Sequence, residues 1–518
     1  MPLQFRNDWF LHSAIAHYAK LTPDRIAVIA GETQLTWAEF EEATSRFGRA
    51  LIDRGLKKGD KAAFFMKSDL PAFIALWGTI RAGGVAVALN ALMSGESLRG
   101  MIENSQSRFI FTDEENLATV GDVVDAMPDQ IPPEHVFVHG AAPGRQSFDA
   151  FVASGSPEPL DVPLGPDDSI NIVYTSGSTG EPKGIEHSHL ARHSYTFGHG
   201  HWFKFDRDSV TLLATPIYAN GSWMMFGPTL FRGGTLVIQP KFDAGEFLRL
   251  VETHKVTHTF VVPTQTGRIV NHPDIAVRDV SSFRVYVTSG QALAASLFDQ
   301  VHEKFPGVEL WESYGMSEGF GTVCGPPDYA KGKRGSVGLP FCLDEIRIVG
   351  SDGQEVARGE TGEICGYSVG LMKGYYRKPE ATETGTWYAP DGRSYLRSGD
   401  LGHMDADGYT YVSGRAKDMI KSGGINVWPI DIENAFSKHP AIREVAVVGV
   451  PHPEWVETPL AFVILREGHD VSAEELKAWG NARVGKFQRV SDLKIVDDLP
   501  RVTYGKVDKK ALRAPYWP

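Results

Sequence analysis

Between Ile26 and Val262 one pattern repeats: a short apolar run, then a longer stretch whose apolar residues recur at helical spacing. Strands are expected at Ile26–Ala30, Ala62–Met66, 84–88, Phe109–Thr112, 210–214, 235–238 and 257–262. Helices are expected at 36–54, 70–82, 96–104, 222–230 and 243–254. In the first of these, Trp37, Phe40, Phe47 and Leu51 share a face. Such alternation builds a mostly parallel sheet covered by helices, an α/β fold. Phe283–Thr288 reads as a further strand, and Trp311–Glu318 ends another. Residues 113–168, rich in Pro, Asp and Gly, read as surface connections. Gly332–Ser413 changes texture to short strands with Asp-Gly turns, which suits a distorted β-barrel or a small antiparallel sheet. At 518 residues the chain is too long for one ordinary core. The boundary is expected at Gly414–Asp418, dividing it into 1–416 and a small α+β domain, 417–518.

The stretch Thr175–Gly184, TSGSTGEPKG, leaves the end of an apolar run, Ile172-Val173-Tyr174. Gly177, Gly180 and Gly184 let the backbone approach a ligand closely. Thr175, Ser176, Ser178 and Thr179 supply hydroxyls, and Lys183 supplies a point charge. Backbone N–H groups, hydroxyls and a lysine together suit a polyphosphate. No Gly-Lys-Ser/Thr ends the run, so it is not the Walker-type loop. A bare run of Gly, Ser and Thr is more often a surface loop. Here the Pro-Lys-Gly ending and the companion motifs favour the ligand.

Formal charge is 52 − 64 = −12, which argues against a general nucleic-acid binder. Lys477–Arg513 carries ten basic residues to four acidic, either a solvated basic face or a dock for a phosphorylated small molecule. The three cysteines, 324, 342 and 365, lack metal-ligand spacing and suit a reducing compartment. The N-terminal MPLQFRNDWF has no signal pattern, and the most apolar stretch, Pro71–Leu89, is broken by Arg81 and two glycines. A cytoplasmic protein with no membrane partner is expected.

Five motifs occur in order: TSGSTGEPKG, YGMSE at 314–318, YLRSGD at 395–400, GRAKDMIKSGG at 414–424 and YGK at 504–506. Together they resemble the adenylate-forming (AMP-binding) superfamily of acyl- and aryl-CoA synthetases, peptide-synthetase adenylation domains and beetle luciferases. The resemblance implies a large N-terminal part of α/β sheets with a small β-barrel-like portion, and a mobile α+β C-terminal lid. It also implies a two-step reaction. A carboxylate attacks the α-phosphorus of ATP to give acyl-AMP and pyrophosphate, and a thiol, usually that of CoA, then displaces AMP.

By the same resemblance, Thr175, Ser176, Gly177, Ser178, Thr179, Gly180 and Lys183 hold the β- and γ-phosphates. Gly290, Gln291 and Ala292 line the adenine with Tyr314. Ser317 touches the α-phosphate, and Glu318 holds Mg²⁺, which commonly takes one or two carboxylates plus phosphate oxygens. Asp400 and Arg415 hold the ribose. Lys506 bridges the acyl carboxylate and the α-phosphate, where a cation offsets developing charge. Lys417 matches the hinge. Gly423 and Gly424 line a pantetheine tunnel, and Trp455 lies against CoA or packs within its own domain.

Three positions depart from the family pattern. Ala219 stands where the histidine of a common aromatic-His pair is expected, Gly423-Gly424-Ile425-Asn426 replaces Gly-Gly-Glu-Asn, and Val456 replaces a common glycine. The acid pocket is expected to comprise Tyr218, Ala219, Trp223, the strand end near Val262, Ser289-Gly290, Gly315, Met316 and Phe320. Its apolar, aromatic character and the lack of an amine-clamping Asp imply a hydrophobic carboxylic acid. An aryl or arylpropenoic acid is favoured, with a medium-chain fatty acid or carrier-protein loading as alternatives. ATP, Mg²⁺ and coenzyme A are the implied cofactors, and a homodimer stays open.

Overall fold

A computed structural model describes residues 10–175, 182–341, 344–422, 425–501 and 507–517. Ser176, Gly177, Ser178, Thr179, Gly180, Gly423, Gly424 and Lys506 lie outside the described residues.

The alternating pattern folds as two large sheets. One runs Gly374–Tyr375, Lys183–Ser188, Ser169–Thr175, Val85–Ala88, Lys61–Phe65, Phe109–Asp113, Val136–His139 and Gln146–Ser147, parallel from Ser169–Thr175 onward. The other holds nine strands, with Ile26–Ala30, Thr235–Ile238, Val210–Leu213, His258–Val261, Val285–Ser289 and Glu309–Gly315 parallel at its centre.

Helices Trp37–Asp53, Leu70–Arg81 and Trp223–Arg232 supply Phe40, Phe73, Trp77, Trp223 and Phe226 to one core. That core also takes Phe64 and Phe111 from one sheet and Leu213 and Leu236 from the other, so the helices join the two layers. The first helix starts at a full capping box, Thr36 with Glu39, which satisfies two otherwise orphaned N–H groups.

Residues 113–168 correct the sequence reading. They contain the helices Leu117–Val124 and Phe148–Ser154 and the strand Val136–His139. Phe137 and Phe151 are buried with their ring centroids 4.2 Å apart. The apolar run Val136-Phe137-Val138 is very short, and its Pro- and Asp-rich flanks dilute the signal. The sequence reading also lacks the strand Lys183–Ser188 and the helix His189–Trp202. KGIEHS shows no alternation; it becomes a strand because it pairs antiparallel with Ser169–Thr175. The strands on either side of the TSGSTGEPKG stretch therefore pair with each other, with Thr175 opposite Lys183.

The Gly332–Ser413 region forms a five-stranded antiparallel sheet of Glu345–Val349, Gly362–Tyr367, Thr386–Tyr388, Ser394–Met404 and Thr410–Arg415. Beyond it, Ile420–Ser422, Ile425–Val427, Ile442–His452, Val456–Leu465 and Asp492–Ile495 make a separate sheet. Ile420, Phe436, Val447, Val463, Leu476 and Leu493 form a core of their own there. No helix among the described residues is long and apolar enough to cross a membrane.

Candidate active site

The hairpin Ser169–Thr175/Lys183–Ser188 brings one wall of the site, and the turn after the strand Glu309–Gly315 brings the other. Gly374–Tyr375 pairs beside Lys183–Ser188, with Tyr375 opposite Ile185. This places the Tyr375 ring under the Lys183 ammonium, 4.9 Å from Nζ to the centroid. The Tyr375 hydroxyl donates to Glu318 Oε1 at 2.7 Å. Glu318 is 8% exposed, and burial pushes its pKa up. The Tyr375 hydrogen bond, and the charges of Arg415 and Lys183, oppose that shift.

Two hydrogen bonds to backbone carbonyls fix the same turn: Met372 N–H donates to the Glu318 carbonyl at 2.7 Å, and His187 Nε2 lies 2.9 Å from the Ser317 carbonyl oxygen. Gly319, at φ +120°, lies so close to Gly370 that an added Cβ would overlap the Gly370 carbonyl. Only glycine allows that approach.

A second cluster joins the turn to the small antiparallel sheet. The Tyr314 hydroxyl donates to Asp400 Oδ2 at 2.8 Å, and Arg415 Nε lies 3.1 Å from Asp400 Oδ1. Asp400 and Arg415 face each other across paired strands, so the sheet register sets this ion pair. Burial and the Asp400 carboxylate push the Tyr314 pKa well up, keeping the phenol neutral and a donor.

Of the expected adenine residues, Gly290, Gln291 and Ala292 follow the strand Val285–Ser289 and are exposed, with Gly290 at φ +93°. Ser289 Oγ donates to the Ser313 carbonyl at 2.5 Å, tying this strand end to the neighbouring one.

The expected pocket residues divide. Tyr218 is half-buried and its phenol is pushed up to about 12 by burial; with Phe64, Met66, Leu76, Leu89 and Ile217 it lines a small apolar void of ≈ 10 Å³. Ala219 is fully buried. Trp223 packs in the main core, with its ring centroid 4.7 Å from that of Phe226 and the Arg192 guanidinium 4.4 Å above it. Gly315 is exposed and pairs with Gly321, while Phe320 is 3% exposed in a cluster with Ile346, Ile364 and Leu396, against which Met316 also packs. Trp455 stacks on His452 at 4.8 Å, and Lys417 is exposed in the turn Ala416–Asp418.

Three participants escape the sequence reading: Tyr375, His187 and Arg192. Tyr375 lies in MKGYYRKP, and nothing in its spacing relates it to Glu318. His187 follows Lys183 by four positions, which places both on one face once the segment is known to be a strand.

A buried carboxylate beside an aromatic hydroxyl and a lysine suits hard, oxygen-rich ligands, a magnesium polyphosphate among them. Among the described residues no group of three or more His, Cys, Asp or Glu could hold a metal ion alone, so phosphate oxygens or water would have to complete any such site.

The AMP-binding enzyme family matches residues 15–376, and its C-terminal domain matches residues 431–506. The chain is 32% identical over 502 residues to the feruloyl-CoA synthase of an Amycolatopsis species, covering 96% of both chains. It is 31% identical over 506 residues to an indoleacetate–CoA ligase of Aromatoleum aromaticum, again covering 96% of both. ATP-bound MatB from Rhodopseudomonas palustris superimposes with a TM-score of 0.88 at 28% identity, over 99% of both chains. The chain belongs to the AMP-binding enzyme family, as an AMP-forming acid–CoA ligase.

Proposed function

We propose that the carboxylic acid this ligase activates is an aryl or arylpropenoic acid, and that the acceptor is the thiol of CoA itself. The observation that carries the nucleotide part is the meeting of two clusters, Lys183–Tyr375–Glu318 and Tyr314–Asp400–Arg415, close enough for Arg415 to favour the ionised form of Glu318. Thr175–Gly180 with Lys183 is the phosphate dock, and Gly290, Gln291, Ala292 and Tyr314 are the adenine wall. Asp400 and Arg415 hold the ribose hydroxyls, and Ser317 reaches the α-phosphate. Glu318 takes Mg²⁺, which when bound neutralises phosphate charge. The acid enters beside Tyr218, where the void wall is mainly apolar, with Ala219 the next residue in the chain.

The likeness to ligases named for feruloyl and indoleacetate groups supports a ring-bearing acid. A medium/long-chain fatty-acid–CoA ligase of Mycobacterium tuberculosis, 32% identical over 413 residues, keeps an alkyl acid as the second reading. Residues 417–518, with their separate core, act as the lid that brings Lys506 for the first step and Gly424 and Trp455 for the second, turning at Lys417.

The test is AMP and pyrophosphate release over a panel of cinnamic, benzoic, arylacetic and medium-chain alkyl acids, with CoA present or absent. The highest kcat/KM on a ring-bearing acid, with AMP release multiplied by CoA, is the expected result. A preference for alkyl acids, or no response to CoA, would overturn the reading.

A further inference from the structure

Arg192 is 1% exposed, and among the described residues no carboxylate forms an ion pair with it. A buried cation without a counter-ion is costly, and it persists only where other contacts hold it. Its Nε donates to Asn171 Oδ1 at 2.9 Å, and one terminal nitrogen lies 3.2 Å from His187 Nδ1. Its flat face lies over the Trp223 ring at 4.4 Å and near that of Tyr195 at 5.6 Å. Burial lowers its pKa to about 9, so the guanidinium stays charged and remains a donor at neutral pH.

The order of donors follows. Arginine has N–H groups and no acceptor, so the 3.2 Å contact makes His187 Nδ1 the acceptor. The proton of neutral His187 then resides on Nε2, which faces the Ser317 carbonyl at 2.9 Å. Asn171 and His187 are cross-strand partners in the two paired strands that flank the phosphate loop in sequence. His187 and Lys183 lie on one face of their strand, four residues apart.

We propose that Arg192 and His187 are positioning residues for adenylation. The relay Asn171–Arg192–His187 locks the Nε2–H tautomer of His187 and thereby ties the Ser317–Glu318 turn to the base of the phosphate-loop hairpin. Lys183 and the Ser317–Glu318 turn then keep a fixed separation, as a site that must present preorganised groups to one phosphate chain requires. The relay rests on the reading of Ser317 and Glu318 as adenylation residues.

Two substitutions at His187 separate positioning from packing. His187→Gln keeps an acceptor toward Arg192 and a donor toward Ser317, whereas His187→Met fills similar space and keeps neither. With the acid that the panel selects, His187→Met is expected to lower the kcat of pyrophosphate exchange about tenfold or more, the scale of one lost hydrogen bond to a critical group. Thioester formation from synthetic acyl-AMP should fall far less, and His187→Gln should restore exchange to within about threefold of the parent. Equal losses in both variants, tracking their loss of thermal stability, or unimpaired exchange in His187→Met, would overturn the proposal. Independently of any reaction, ¹⁵N-histidine NMR of the whole protein, with the His187 signal assigned through His187→Gln, should report an Nε2–H imidazole that changes in Arg192→Met. An Nδ1–H form would overturn the relay. Failure of the parent to form any acyl-AMP would instead count against the functional reading and leave the NMR result to decide the relay.

Discussion

Tyr375→Phe removes one oxygen and leaves the ring under Lys183 in place. The lost hydroxyl donates at 2.7 Å to a carboxylate that is almost wholly buried. A hydrogen bond to a charged group is worth about 1.5–3 kcal/mol. Its loss should raise the Glu318 pKa beyond the rise that burial already imposes. The sign is fixed: a higher carboxylate pKa means that the ionised, metal-competent form is lost earlier as pH falls. The acidic limb of the pyrophosphate-exchange rate should therefore move alkaline, with the rate recovering at high pH. Tyr375→Leu also loses the cation–π contact with Lys183, worth ~0.5–2 kcal/mol, and that part should not recover at any pH. The assay is exchange at fixed Mg²⁺ over about pH 5–9, taken variant by variant. Coincident acidic limbs for Tyr375→Phe and the parent would refute the reasoning, because the hydroxyl would then contribute nothing to the ionisation of Glu318.

Stability should fall steeply in mild acid. His189, His199 and His258 are buried neutral, with burial holding them at about 3, 4 and 4 against an ordinary 6.5. Their folded pKa is depressed, so their contribution is intact above about pH 6.5 and is lost toward pH 4, at roughly 2–3 kcal/mol each; a urea midpoint that stays flat over this window would contradict it. Val456, 69% exposed at φ +68°, holds a left-handed conformation that costs a side-chain-bearing residue ~1–2 kcal/mol. Val456→Gly should raise stability by ~0.5 kcal/mol after the entropic cost of glycine, and a clear drop in the urea midpoint would show that the valine side chain packs usefully. Lys417→Pro should leave pyrophosphate exchange near normal while cutting thioester formation from synthetic acyl-AMP at least tenfold, if the turn Ala416–Asp418 is the hinge. Normal rates in both steps would remove Lys417 from that role.

The sequence by itself determined the layered α/β class, most of the element positions and the identity of the reaction. Ile26–Ala30 and Thr235–Ile238 form as read, and the helices at 37–53 and 70–81 lie within a residue or two of their expected bounds. These segments are legible because each announces itself locally, through β-branched runs, helical spacing or a capping box. The motifs were legible for the same reason, since Thr175–Gly184 and Tyr314–Glu318 are contiguous.

Tertiary structure alone decided which groups meet. Tyr375 reaches Glu318 across 57 positions, Tyr314 reaches Asp400 across 86, and His187 reaches Ser317 across 130. Each of these contacts depends on sheet register: Tyr375 opposite Ile185, Asp400 opposite Arg415, Asn171 opposite His187. A one-residue slip in any of them would turn the side chain to the opposite face, and no local propensity encodes that choice. The same holds for Arg192, which in the sequence is one charge in a histidine-rich stretch. Only burial between the hairpin and Trp223 makes it a cation with no carboxylate to meet among the described residues.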